Sequence, residues 1–186
     1  INGLTYDKNA FTIKETIGVV PQEYALYPTL TAYENLMYFG SMFGIKGKEL
    51  KTKVQEALEH VGLDKFADKQ IHTFSGGMKR RVNILAGVLH QPSVLFLDEP
   101  TVGVDVQSKN VIIDYLKALN QQGTTIVYTS HHLSEAQDFC TQITIMDKGE
   151  ILTSGTPKHL IESVPNANNL EDVFVSITGK ALRDGL

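Results

Sequence analysis

The chain has 186 residues, 42% apolar and 20% charged, with 17 Lys and Arg against 21 Asp and Glu for a formal net charge of -4. That size closes one hydrophobic core with a small satellite, and the acidic balance argues against a basic phosphate-backbone binder, so no nucleic-acid partner is expected. The single Cys140 cannot form an intrachain disulfide, and no apolar run approaches the ~18 residues of a membrane span, so the cytosol is the default compartment.

The opening residues Asn2, Gly3 and Asp7 read as turn chemistry, without a helix cap or a long strand; with Ile1 in place of Met, a fragment is expected. Thr16 to Val20 is a short β-branched run ended by Pro21, which predicts a buried strand with Gln22 just past its end. Thr31 to Glu34 has capping-box spacing and predicts a helix from Ala32 to about Phe43. Leu50, Val54, Ala57, Leu58 and Val61 share one face of a second helix, which Gly62 would end. A third helix is expected over Met78 to Leu89, after Ser75 as its N-cap.

Beyond Pro92 the period changes. Ser93 to Leu97 reads as a strand, Val106 to Leu119 as a helix stopped by Gly123, and Thr124 to Thr129 as another strand, together one parallel βαβ unit. Leu133 to Cys140 is a short helix. Ile143 to Met146 and Ile151 to Thr153 flank Asp147-Lys148-Gly149 as a hairpin, and the tail from Leu160 to Leu186 is weakly helical and polar.

Four places carry chemistry. The apolar strand Val94 to Leu97 ends in Asp98 and Glu99, at the strand edge where open α/β sheets bind ligands. Asp98 emerging from such a strand is expected to be desolvated and to need a cation, which in nucleotide enzymes is magnesium, while Glu99 could deprotonate a water. An acidic strand-end turn is the plain alternative. Ser75-Gly76-Gly77 opens a helix with backbone N–H groups suited to an anion, and Lys79, Arg80 and Arg81 in the first turn oppose the macrodipole, a conflict that a docked phosphate would relieve. His131 follows the second strand of the βαβ unit, at the same sheet edge, where it can donate to a phosphate oxygen; His132, His60, His72, His90 and His159 read as surface residues. Gln22, at the end of the first strand, has an amide oxygen that can reach a metal or a water, and by itself reads as a loop residue.

In order and spacing, Val19-Val20-Pro21-Gln22, Phe74-Ser75-Gly76-Gly77-Met78, Leu97-Asp98-Glu99-Pro100, Val102-Gly103-Val104-Asp105 and Thr129-Ser130-His131 resemble the nucleotide-binding domain of ATP-binding cassette (ABC) proteins over Ile17 to Gly155. The resemblance implies an α/β fold, a P-loop NTPase-type cassette core with a mostly parallel and incomplete sheet. An α-helical subdomain would carry the signature motif. It implies Gln22 as the Q-loop glutamine and a magnesium contact, Ser75, Gly76 and Gly77 as the signature that contacts ATP, and Asp98 as the magnesium-binding Walker B aspartate. Glu99 would be the catalytic glutamate, Asp105 the D-loop aspartate, and His131 the switch histidine. Ser75-Gly76-Gly77-Met78-Lys79-Arg80-Arg81, Leu170 to Phe174 and Thr178-Gly179-Lys180 are similar to the exporter branch with ABC-2 type permeases. Phe74 and Val104 stand where Leu is usual, Val106 where Pro is common and Thr141 where Asp is common; none removes a nucleotide contact.

One departure weighs more. The family's phosphate cradle, G-x-x-x-x-G-K-[ST], lies further upstream of the Q-loop glutamine than the 21 residues present here, and neither Gly47-Lys48 nor Gly179-Lys180 completes the pattern. The expectation is an N-terminally truncated cassette, inactive by itself, whose missing elements leave an apolar face uncovered. Residues 1–21 and 91–160 would form the partial ATPase core, 22–90 the helical subdomain, and 161–186 a helical tail. The intact protein is expected to be an exporter ATPase, cytoplasmic and peripheral on the membrane through an integral-membrane permease docked over Glu23 to Leu36. It would pair head to tail with a second nucleotide-binding domain, so that Gly77→Asp blocks ATP-driven dimerisation by meeting the γ-phosphate. The rivals are a non-transport cassette ATPase and a non-catalytic interaction module. The 52 residues between Gln22 and Ser75 are too few for the long coiled coil of some non-transport cassettes.

Overall fold

The computed structural model describes residues 1–179. The chain divides into two units, one ending at Thr129 and the other beginning at Ser130.

The first unit is organised on three parallel strands in the order β1 (Ile17–Val20), β2 (Val94–Asp98) and β3 (Thr125–Thr129). Register pairs Val20 with Leu97 and Leu97 with Tyr128, and one step earlier Val19 with Phe96 and Phe96 with Val127. Because side chains alternate across a strand, these two rows face opposite sides. Val20, Leu95 and Leu97 are buried, whereas Val19 is 59%, Val127 43% and Phe96 36% exposed. The continuous apolar runs predict strands covered on both faces, as parallel strands usually are. The described residues cover one face and leave an apolar depression on the other, lined by Val19, Phe96 and Val127 and ending at Asp98 and Thr129.

A helix the sequence does not announce, α1 (Tyr6–Thr16), leads into β1. Thr5 stands at its N-cap and Asp7 in its first turn, but Thr5 makes no side-chain capping bond and Asn9 leaves helical geometry inside it, so the start signals are weak where turns are expected. The other helices follow their patterns. Thr31 and Glu34 form both bonds of a capping box at the start of α2 (Ala32–Met42). In α3 (Gly47–His60) the buried residues Leu50, Val54 and Leu58 recur every four positions, and Gly62 terminates it at φ 66°. These pack with Leu36, Val82, Leu85 and Leu89 into one core.

Helix α4 (Gly76–Val88) joins this core to the sheet, and it does so at two glycines. A Cβ on Gly18 of β1 would run into the carbonyl oxygen of Gly87 and approach Leu95 Cδ1 to 2.9 Å, and one on Gly87 would approach Val20 Cγ2 to 2.7 Å. Backbone meets backbone there. Just past the helix, His90 stacks on Phe43 with centroids 3.6 Å apart and planes within 1°, and its Nε2 lies 2.9 Å from the carbonyl of Ile17. The surface reading of His90 is therefore corrected: the half-buried ring links the helices to the start of β1. Its Nδ1 is buried without a partner, and burial holds its pKa below the ordinary 6.5 despite the bond to Ile17.

Helix α5 (Val106–Gln121) covers the same sheet face, with Ile112 and Leu116 buried. In the second unit, α6 (Leu133–Phe139) precedes the antiparallel hairpin of β4 (Ile143–Asp147) and β5 (Glu150–Gly155). Lys148 and Gly149 at its turn both have positive φ, as the tight turn demands. The tail is less polar than expected: α7 (Pro157–Glu162) and α8 (Leu170–Thr178) bury Leu160, Leu170 and Val173 against Ala136, Ile143 and Ile145. Lys180 lies outside the described residues. No helix among the described residues is long and apolar enough to cross a membrane.

Two outcomes follow. Gly18→Ala should lower the unfolding free energy of the chain by about 1–3 kcal/mol, the range for overpacking, read as a lower urea midpoint at constant slope. For His90, the unfolded chain binds the proton more readily than the folded one, so its contribution to stability is present above pH 6.5 and is lost as pH falls below it. The melting temperature should fall less between pH 7 and about 5 in His90→Gln than in the parent chain.

Candidate functional site

The carboxyl edge of the three-stranded sheet gathers three of the residues with chemistry, Gln22, Asp98 and Glu99. β2 ends in Asp98, and the chain turns sharply at Glu99, a non-glycine residue at φ 44°. Such a backbone costs about 1 kcal/mol, so the surroundings must hold it. They do so from both neighbours. Gln22, two residues beyond β1, donates from Nε2 to Glu99 Oε2 at 3.1 Å. From β3, Thr129 takes the Glu99 N–H on both its carbonyl oxygen and its Oγ1, each at 3.2 Å. The same hydroxyl donates to Asp98 Oδ1 at 2.6 Å, and Asp98 and Thr129 are register partners on the open face. Gln22, Asp98 and Glu99 therefore meet at one edge. One expectation fails: Asp98 is exposed, not desolvated, because the strand's second face is uncovered and the carboxylate stands on that side.

The loop carrying Gln22 is stapled to α4. Arg80, 3% exposed, donates to the carbonyls of Pro21 at 3.0 Å and Gln22 at 2.6 Å, and its guanidinium lies 4.9 Å from the Tyr24 ring centroid. Tyr24 donates its hydroxyl to the Gly76 carbonyl, and Asn83 accepts the Ala25 N–H while donating to Pro21. Arg81 donates to the carbonyls of Val61 and Gly77. Arg80 and Arg81, in the second turn of α4 and not the first, thus find their partners on carbonyl oxygens within the chain, which corrects the reading of them as first-turn cations that need a docked anion. Burial works against the charged form of both.

The Ser-Gly-Gly segment also has work inside the chain. Ser75 caps α4 by accepting the Met78 N–H, so one first-turn donor is already engaged. A Cβ on Gly77 would approach Ser108 Cβ to 2.6 Å and Asp105 Oδ2 to 2.8 Å, whereas one on Gly76 would reach only an ordinary contact with the Tyr24 hydroxyl at 3.4 Å. Asp105 caps α5 through Ser108, and those bonds hold its carboxyl below the usual range, with Arg81 adding a smaller pull. Gly77→Asp would therefore break the α4–α5 contact before its charge met any phosphate, and the expectation of a purely electrostatic effect is revised. His131 belongs to the second unit, in the turn before α6, with its ring 4.1 Å from that of His132.

The family profile described as ABC transporter matches residues 2–102, more than half the chain. The chain belongs to the ABC transporter family. It is 49% identical over 160 residues to the linearmycin resistance ATP-binding protein LnrL of Bacillus subtilis, covering 86% of this chain and 51% of that protein. It is 30% identical to the ABC transporter ATP-binding protein NatA of the same organism, over 95% of this chain and 72% of that one. With the Nod factor export ATP-binding protein I of Cupriavidus metallidurans it shares 37% identity over 79% of this chain and 48% of that protein. The chain thus spans about half the length of LnrL and of the Nod factor export protein. Among solved structures, an ATP-binding subunit of an ABC transporter superposes with a TM-score of 0.84 at 23% identity, over 96% of this chain and 75% of that one. The ATP-binding cassette MJ0796, in a dimeric post-hydrolysis state bound to ADP and Pi, gives 0.71 at 29%, over 83% and 68%. The α/β cassette fold, with its parallel sheet and helical subdomain, is that of these ABC proteins.

Within this ABC chain, sequence reasoning missed Arg80, Asn83, Tyr24 and Thr129 as residues that hold the site's loops. Arg80 was hidden inside a basic run that reads as solvated, and Thr129 inside a strand. The Gly77 contact is directly testable: Gly77→Ala should cost about 1–3 kcal/mol by overpacking, whereas Gly76→Ala should stay within about 0.5 kcal/mol of the parent. Equal urea midpoints for the two variants would contradict the packing described here.

Proposed function

We propose that this chain carries part of the ATP-hydrolysing apparatus of an ABC exporter subunit, a cytoplasmic ATPase held at the membrane by an integral-membrane permease. The observation that supports it most is the joining of Gln22 to Glu99 at 3.1 Å beside Asp98, at the edge of a parallel sheet where nucleotide phosphates bind. The names of LnrL and the Nod factor export protein point to the exporter branch.

In this reading Glu99 accepts the proton of the water that attacks the γ-phosphate of ATP, and the Gln22 amide, by donating to Oε2, aims the carboxylate. The donor set suits magnesium: Asp98 and the Gln22 amide offer oxygen donors at the strand ends, and Mg2+ is commonly held by one or two carboxylates together with waters and phosphate oxygens. Asp98 would hold it with the amide oxygen of Gln22, which the bond to Glu99 leaves out, and the ion would neutralise charge on the phosphates. His131 would donate to a phosphate oxygen. Ser75, Gly76 and Gly77 would face the ATP of a second nucleotide-binding domain, with Asp105 beside them, and Glu23 to Leu36 would meet the permease. Because this sequence contains no G-x-x-x-x-G-K-[ST] run, the 186-residue chain by itself is inactive in this reading.

The test is Glu99→Gln in the full-length protein. The amide can still accept from Gln22 but cannot take a proton, so ATP binding should persist while hydrolysis slows about 100-fold or more. Near-normal turnover would remove Glu99 from the role of base.

A further inference from the structure

We propose that Thr129 is a positioning residue for the Asp98–Glu99 pair, through its hydroxyl and not through its methyl group. The proposal rests on the reading of Asp98 as the magnesium carboxylate and Glu99 as the base. A threonine hydroxyl has one proton to give and lone pairs to receive with. Here the proton goes to Asp98 Oδ1, at 2.6 Å against 3.4 Å for the alternative acceptor, the Leu97 carbonyl. The lone pairs take the Glu99 N–H at 3.2 Å. One oxygen thus touches both acids of the pair from the adjacent strand.

Each of the two bonds meets a distinct need. Asp98 is exposed at the strand end, where packing constrains a side chain least, and a short bond to a charged acceptor selects its rotamer. Glu99 sits in left-handed backbone at φ 44°, and an acceptor on its N–H, doubled by the Thr129 carbonyl, holds the turn that presents its side chain to Gln22. The parallel register makes this possible, because Asp98 and Thr129 are paired on the same face. Valine has the same shape and no hydroxyl, while serine keeps the hydroxyl and drops the methyl, so the two substitutions separate orientation from packing.

Calorimetry of ADP binding to the full-length protein, with Mn2+ and again with EDTA, isolates the metal-dependent gain in affinity. Thr129→Val should reduce that gain about 10-fold, the lower end of what losing a hydrogen-bond partner of a metal ligand costs, with affinity in EDTA unchanged within about two-fold. It should raise KM for magnesium-ATP by a similar factor, lower kcat as well, and be restored by Thr129→Ser. Thr129→Ala serves the same comparison should the valine variant fail to fold. Asp98→Asn separates the two layers of the argument. Loss of the gain in Asp98→Asn but not in Thr129→Val would overturn the role of Thr129 alone. An undiminished gain in Asp98→Asn would overturn the reading of Asp98 and this proposal with it. A serine variant as impaired as valine would show that the methyl group matters, and would also overturn it.

Discussion

The buried guanidinium of Arg80 is the interaction on which the candidate edge of the first unit depends. A cation taken out of water without a carboxylate partner is costly, and this one is offset by two carbonyl dipoles and the face of a tyrosine ring. Those carbonyls belong to Pro21 and Gln22, so the two bonds that partly satisfy the guanidinium, whose Nε is buried without a partner, also fix the loop that ends β1. Because Arg80 lies on α4, the Gln22 loop and the Ser75-Gly76-Gly77 helix start form one piece, and Tyr24 closes the link by bonding to Gly76.

That piece is seated on the sheet by the absence of side chains. Gly18 and Gly87 let α4 approach β1 to backbone contact, and Gly77 lets α4 meet the start of α5. Close-packed interiors tolerate little added volume, so these contacts set where the helix lies relative to the strand ends. The strand ends in turn are tied sideways by polar groups. Gln22 reaches Glu99 from one neighbour and Thr129 reaches Asp98 and Glu99 from the other, so the positive-φ corner after β2 is held from both sides.

The open face of the sheet shows how apolar pattern and structure diverge. Ile17 to Val20 and Val94 to Leu97 are apolar on both sides, which is the mark of strands covered twice, yet among the described residues the row of Val19, Phe96 and Val127 is left toward solvent. Asp98 shares that side, which is why it is exposed where an apolar strand suggests desolvation.

Much of this molecule was legible in its sequence because the signals are local. A capping box at Thr31, a four-residue recurrence in α3, apolar runs closed by Pro21 and by Asp98, and a Lys148-Gly149 turn each act within a few residues. The order of Gln22, Ser75-Gly76-Gly77, Asp98-Glu99, Asp105 and His131 was likewise enough to suggest the ABC family. What tertiary structure alone decided are the contacts between residues far apart in the chain. Arg80 bonds Pro21 across 59 positions, Gln22 meets Glu99 across 77, and Thr129 meets Asp98 across 31. The helix α1 belongs with these, since its N-cap Thr5 makes no side-chain capping bond and it is held by burying Ile13. So do the second duties of Ser75 and Asp105 as helix caps and of Gly77 as a packing gap. A motif names a residue type at a position, whereas a cap or a close approach depends on which backbone lies alongside, and that is settled only when the chain has folded.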